Sequence, residues 1–131
     1  MLNIIQELSM QLKMRDIQIE EIRFEIDPHG YPSICIYWEL SAEATSNEQR
    51  RQLMAIVQNS APYFQRYRAL KRLMINLTIN DAKVATEPVG FNRAEIVKWY
   101  SGLISYEYLV KQHIAYWHPP SDLLYWHPGM D

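Results

Sequence analysis

The chain has 131 residues and a mass of 15.6 kDa, with 48% hydrophobic, 21% charged and 12% aromatic residues and a formal net charge of -2. That length suits one globular domain in which about two thirds of the unfolded surface is buried, while the apolar fraction, the small net charge and the absence of a Gly-X-Y period exclude disorder and a collagen-like fibre. The single cysteine, Cys35, excludes an internal disulfide, a CxxC redox pair and a zinc ribbon and suits a reducing compartment; no apolar run approaches the roughly 18 residues of a membrane span, so the chain reads as cytoplasmic.

Leu2, Ile4, Ile5, Leu8 and Leu12 recur at helical spacing and predict an amphipathic helix over residues 2–13. Ile22, Phe24 and Ile26 then alternate with Glu21, Arg23 and Glu25, and Ile34, Ile36, Trp38 and Leu40 alternate with Cys35, Tyr37 and Glu39 across a Pro- and Gly-containing connection. This period of two is that of an antiparallel hairpin with one buried face. Thr45 with Glu48, or Ser46 with Gln49, forms a capping box ahead of Leu53, Met54, Ile56 and Val57, so a helix is expected to about Gln58. Asn59-Ser60-Ala61-Pro62 reads as a break, with Ser60 as cap and Pro62 in the first turn of a further helix over 62–73. Ile75, Leu77 and Ile79 predict a third strand and Val84-Ala85-Thr86 a short edge strand. Asn92 with Glu95 caps the longest predicted helix, 93–115, about 34 Å long at 1.5 Å per residue.

The expected fold is α+β: an antiparallel sheet of three or four strands packed with helices, in the order α-β-β-α-α-β-(β)-α, within one domain spanning 1–131. An extended aromatic tail, 116–131, completes it. There Tyr116-Trp117-His118-Pro119 recurs as Tyr125-Trp126-His127-Pro128, with prolines that favour extended geometry, and the tail is expected to dock on the domain or on a partner subunit.

Little in the chain resembles catalytic machinery. His29, His113, His118 and His127, with Asp122 and Asp131, lack the spacing of a metal site, so no metal or cofactor is expected. Cys35 sits mid-strand with no adjacent base, and four scattered glycines build neither a P-loop nor a dinucleotide fingerprint. Charge, by contrast, is unevenly placed. Residues 1–48 hold nine acidic and three basic residues, whereas 49–98 hold three acidic and nine basic.

Two surfaces therefore compete for function. The helix 93–115 is apolar on several sides, with Ile96, Tyr100, Leu103 and Val110 on one stripe, Val97, Ile104 and Tyr108 on the next, and Trp99 with Tyr106 on a third. A helix apolar most of the way round must be covered on more than one side, and Tyr and Trp are the side chains that interfaces favour. The leading expectation is thus a small non-enzymatic protein-binding module of adaptor, inhibitor or neutraliser type, acting as a homodimer through Trp99, Tyr106, Tyr108, Tyr116, Trp117, Tyr125 and Trp126. The alternative is a nucleic-acid-binding accessory protein, in which Arg66, Arg68, Lys71 and Arg72, interleaved with Tyr63, Phe64 and Tyr67, reach phosphates beside aromatics that stack on bases. A Tyr- and Trp-lined ligand pocket is the third possibility.

Overall fold

A computed structural model describes residues 2–26, 30–79, 84–85, 89–112 and 114–115. Helix α1, Leu2–Lys13, buries Ile4, Leu8 and Leu12, the stripe its sequence draws. It ends where Asp16 takes a positive φ of 59°, so that the Ile17 amide reaches the Leu12 carbonyl (3.1 Å) and the Asp16 amide the Lys13 carbonyl (3.0 Å). This is the left-handed helix stop usually built on glycine, tolerated here because aspartate enters that region more readily than most residues. The chain then runs out as strand β1, Gln18–Ile26, and returns as β2, Pro32–Leu40, pairing Ile22 with Ile36 and Phe24 with Ile34. The predicted hairpin is present.

Helix α2, Ser46–Arg66, is one continuous 21-residue element, not the two helices that Asn59-Ser60-Ala61-Pro62 led us to expect. Thr45 caps it as predicted, its hydroxyl accepting from the Glu48 amide (3.1 Å). The supposed breaker residues turn back into the helix: Asn59 Nδ2 donates to the Ala55 carbonyl (2.7 Å) and Ser60 Oγ to the Ile56 carbonyl (2.7 Å). Pro62 costs the Gln58 carbonyl its partner, and Gln58 lies on the exposed side of the helix.

That continuity changes the sheet. A helix of 21 residues spans about 31 Å and carries the chain back along the sheet, so strand β3, Arg72–Ile79, runs parallel to β2, with Cys35 opposite Met74 and Tyr37 opposite Asn76. The sheet is mixed, which corrects the antiparallel expectation: parallel pairing requires a crossover of this length, and reading a break at Pro62 removed it. Beyond β3 come β4, Val84–Ala85, and β5, Val89–Asn92, both antiparallel to β3, then β6, Ile114–Ala115, antiparallel to β5. The strand order is β1-β2-β3-β5-β6, with β4 on the far half of β3.

The predicted long helix 93–115 is instead α3, Arg93–Tyr100, and α4, Tyr106–Lys111. Gly102, at φ 80°, stops α3, with the Leu103 amide on the Lys98 carbonyl (2.8 Å) and the Gly102 amide on the Trp99 carbonyl (3.0 Å). Ser105 restarts the helix by accepting from the Tyr108 amide (3.1 Å).

The sheet has two unlike faces. Ile22, Ile34, Ile36, Trp38, Leu73, Ile75, Leu77 and Phe91 pack with all four helices into one core. Trp38 anchors it, donating from Nε1 to Gln52 Oε1 (2.8 Å), and Gln52 in turn donates to Glu48 (3.0 Å). The opposite face carries the alternate residues: Arg23, Cys35, Met74 and Gly90 lie in one cross-strand row, and Glu25, Ser33, Arg72 and Asn92 in the next. On that face Cys35, Met74 and Tyr37 form a small separate cluster.

Candidate functional site

The basic residues singled out in the sequence do not share a helix. Arg66 ends α2, Arg68 lies in the turn that follows, Lys71 precedes β3 and Arg72 opens it. The predicted helix 62–73 is corrected accordingly: it stops at Arg66 because Tyr67 takes extended backbone, φ -112° and ψ 101°, on the way into the sheet. The fold nevertheless gathers part of the set. The Lys71 amide donates to the Pro32 carbonyl (2.9 Å) and the Lys71 carbonyl accepts from the Arg93 amide (2.8 Å), which ties the approach to β3 between β2 and the start of α3.

Here lies a cleft of about 370 Å³ lined by Tyr31, Lys71, Arg72, Asn92, Arg93 and Ala94. Each wall is held by its own bond. Arg72 and Asn92 are cross-strand partners, and Arg72 Nε donates to Asn92 Oδ1 (3.0 Å) while its guanidinium lies over the Tyr31 ring, 4.3 Å from the centroid. Arg93 Nε donates to the Phe64 carbonyl (2.8 Å), fixing its stem against the end of α2. Asn92 is the cap residue of α3, but its side chain makes no capping bond and is engaged by Arg72 instead; the acidic residue at this end of the helix is Glu95, in the first turn.

Among the described residues the lining holds three cations and no carboxylate. Neither Lys71 nor Arg93 pairs with an acid among the described residues, unlike Arg23, which meets Glu21 and Glu25, and Arg51, which meets Glu48. Arg66 and Arg68 are exposed, Arg66 beside the Tyr67 ring at 5.9 Å. Tyr31, Asn92 and Arg93 were missed in the sequence. Tyr31 reads there as part of a turn and Asn92 as a cap, and only the β2–β3–β5 register brings them to Arg72.

The predicted aromatic interface fares differently. Trp99 and Tyr106 meet with ring centroids 6.0 Å apart, and both pack against the core, so these two serve the fold across the α3–α4 turn. Tyr108 is 52% exposed, with Tyr100 and Leu103 also exposed nearby in sequence. Tyr116, Trp117, Tyr125 and Trp126 lie outside the described residues, as do His113, His118 and His127.

Other chemistry is sparse. Among the described residues no group of three His, Cys, Asp or Glu side chains is placed to hold a metal ion, and no helix is long and apolar enough to cross a membrane. Cys35 is fully buried. A larger groove, about 570 Å³, runs along the outer side of α1 past Ile5, Met10 and Met14, and Lys13 is the charged residue among its described lining. Comparison of the chain with known protein families, with curated proteins and with solved structures finds no match.

Proposed function

We propose that the protein is a nucleic-acid-binding accessory protein that holds a single strand at the end of the sheet where β2 and β3 begin. The observation that carries this reading is the cleft in which Lys71, Arg72 and Arg93 converge beside Tyr31, with no carboxylate among the described residues of the lining. Cations of that density attract phosphates, and an aromatic that is 44% exposed offers a base a stacking surface. A cleft of about 370 Å³ matches one nucleotide and is far too small for a duplex. Arg66 and Arg68, exposed within five residues of Lys71 in the chain, add positive charge for a strand that continues past the cleft.

Fluorescence anisotropy with labelled oligonucleotides of about ten residues over a range of salt tests it. Affinity should fall with salt at a log-log slope of roughly -0.7 per neutralised phosphate, or about -2 for three contacts. Replacing Arg68 and Lys71 with Ala should flatten that slope by about 1.4. Absence of binding to any oligonucleotide at about 50 mM salt would remove the reading.

The run from Tyr100 to Tyr108 favours a second reading, association with a protein or with another copy of the chain, because Tyr100, Leu103 and Tyr108 are all large, apolar and exposed. Light scattering during size exclusion distinguishes the homodimer: a mass near 15.6 kDa at every accessible concentration rules it out.

A further inference from the structure

From the sequence and place of β1 we propose that the chain pairs with a second copy of itself along that strand, joining two sheets into one. The surface is separate from the cleft and from the Tyr100 to Tyr108 run. Among the described residues β1 ends the strand order and has a strand neighbour, β2, on one side only. The outer side of an edge strand presents main-chain N–H and C=O groups that another strand can meet. Natural edges are guarded by charge and by bulges, and β1 carries both: Glu20, Glu21, Arg23 and Glu25, and a register shift between Ile19 and Glu21. The guard stops short of the strand's end. From Ile22 to Ile26 the pairing with β2 is regular, and the charges there are of both signs.

Ile22-Arg23-Phe24-Glu25-Ile26 is complementary to its own reverse. Antiparallel pairing about a two-fold axis at Phe24 sets Phe24 against Phe24, Ile22 against Ile26 and Arg23 against Glu25, so apolar meets apolar and each charge meets its opposite. Centring on Arg23 would oppose two arginines, and Glu21 with Glu25, which cross-strand pairing disfavours. Centring on Ile22 would set Glu20 against Phe24 and take in the register shift. Neither Arg23 nor Glu25 has to be unpaired beforehand. The two touch within the strand at 2.9 Å and keep 45% and 30% of their side-chain surface exposed, so a pair across the edge adds to the pair along it.

Packing points to the same register. Ile26 is 66% exposed on the row that carries buried Ile22 and half-buried Phe24, and beside it lies a hollow of about 220 Å³ lined in part by Phe24, Pro32 and Leu70. The apolar row of a second copy covers both. Helix α1 turns back at Asp16 into β1 and packs against it. At about 1.5 Å per residue its 12 residues reach roughly 18 Å, about the length of the strand from Gln18 to Phe24. An axis at Phe24 therefore sets the two copies of α1 end to end, whereas an axis nearer Gln18 would drive one against the other. The paired segment is short, so the dimer forms and parts with concentration.

The test is light scattering during size exclusion on the full chain over a range of concentration, for the native sequence and for Arg23→Glu, Glu25→Arg and Ile26→Lys. The native chain should rise from 15.6 kDa toward twice that mass. Arg23→Glu and Glu25→Arg each put like charges opposite one another twice in the two-fold pair, and each alone should weaken the dimer by about tenfold or more. Mixed in equal amounts they should restore it as a heterodimer, because the acidic row of one variant then faces the basic row of the other. Mixing does not restore the pair within a strand, so contact across the edge accounts for the rescue. Ile26→Lys changes an exposed position and should favour the monomer without loss of stability.

A mass of 15.6 kDa at every accessible concentration overturns the proposal, and β1 amides that resist hydrogen exchange in that monomer would assign the edge to another segment of the same chain. A dimer indifferent to all three variants lies elsewhere on the surface and overturns it too. A mixture of the two charge variants that stays monomeric overturns the register.

Discussion

The open face of the sheet uses the same pairing twice, with opposite results. At one edge Arg23 lies over the Tyr37 ring at 4.5 Å, and near the other end Arg72 lies over Tyr31 at 4.3 Å. Around Arg23 the strand supplies carboxylates: Glu25 at 2.9 Å and Glu21 at 3.6 Å, with the Tyr37 hydroxyl hydrogen-bonded to the guanidinium. Around Arg72 the cross-strand position holds neutral Asn92, and the neighbours Lys71 and Arg93 add charge of the same sign. One arginine is paired with the carboxylates of its own strand; the other stands beside two further cations, Lys71 and Arg93. An arginine stacked on tyrosine therefore says nothing about function until its acidic neighbours are counted. Surface pairs like Arg23–Glu25 contribute at most about 1 kcal/mol to stability, so the contrast is one of availability and not of folding.

The sharpest way to break the contrast is to make the second site resemble the first. Asn92→Asp places a carboxylate against Arg72, keeps the acceptor for its Nε, and retains a residue equally good at a helix start. Stability should stay within about 1 kcal/mol, while affinity for an oligonucleotide should fall by roughly five- to several-hundredfold, since a charge about 4 Å from a phosphate costs about 1 to 4 kcal/mol. Parallel denaturant melts and anisotropy titrations check both halves. Glu25→Gln is the converse variant, and it should not raise affinity beyond about twofold. A larger gain would mean that any released arginine suffices and that the shape of the cleft is irrelevant.

The two sites also differ in how far the sequence announced them. Alternation along β1 and β2 puts Glu21, Arg23 and Glu25 on one face, so the neutralised site follows from a period of two within a single hairpin. The cleft is assembled from β2, β3, β5 and α3, and no local pattern relates Tyr31 to Asn92. Much of the fold was legible for the same reason: the α1 stripe, the buried face of β2 and the Thr45 cap are all local. What failed was punctuation. Pro62 was read as a boundary although a helix packed along its length on a sheet absorbs one missing hydrogen bond, and Gly102 with Ser105 was passed over although a glycine stop followed by a serine cap is a boundary. The first misreading cost the parallel β2–β3 pair. The second lengthened an apolar helix that the structure divides, and with it went the premise that a 34 Å surface needed a partner.

The smallest expected effect concerns the tyrosine hydroxyls, which report on whether the Arg23 network is closed. Burial raises the Tyr37 hydroxyl above its ordinary value; the Arg23 hydrogen bond opposes this and the Glu25 charge adds to it. Tyr63, under α1, is pushed up to about 12, first by burial and then by its hydrogen bond to Glu7 (3.0 Å). Both shifts favour the protonated form in the folded chain. Their contribution is fully present below about pH 10, where an unfolded tyrosine is still neutral, and is lost as pH rises toward 12, because the unfolded chain then releases protons that the folded chain retains. Ultraviolet titration of the nine tyrosines should accordingly show a late-ionising fraction, and denaturant midpoints should drop from pH 9 to pH 11. Tyr63→Phe should remove the latest ionisation and flatten that drop. Glu25→Gln should bring the Tyr37 transition to lower pH, since it deletes a raising charge and leaves Arg23 in place. If the Tyr37 transition instead stays where it is, Glu25 does not act on that hydroxyl, and the closed network that distinguishes Arg23 from Arg72 is looser than its 2.9 Å ion pair implies.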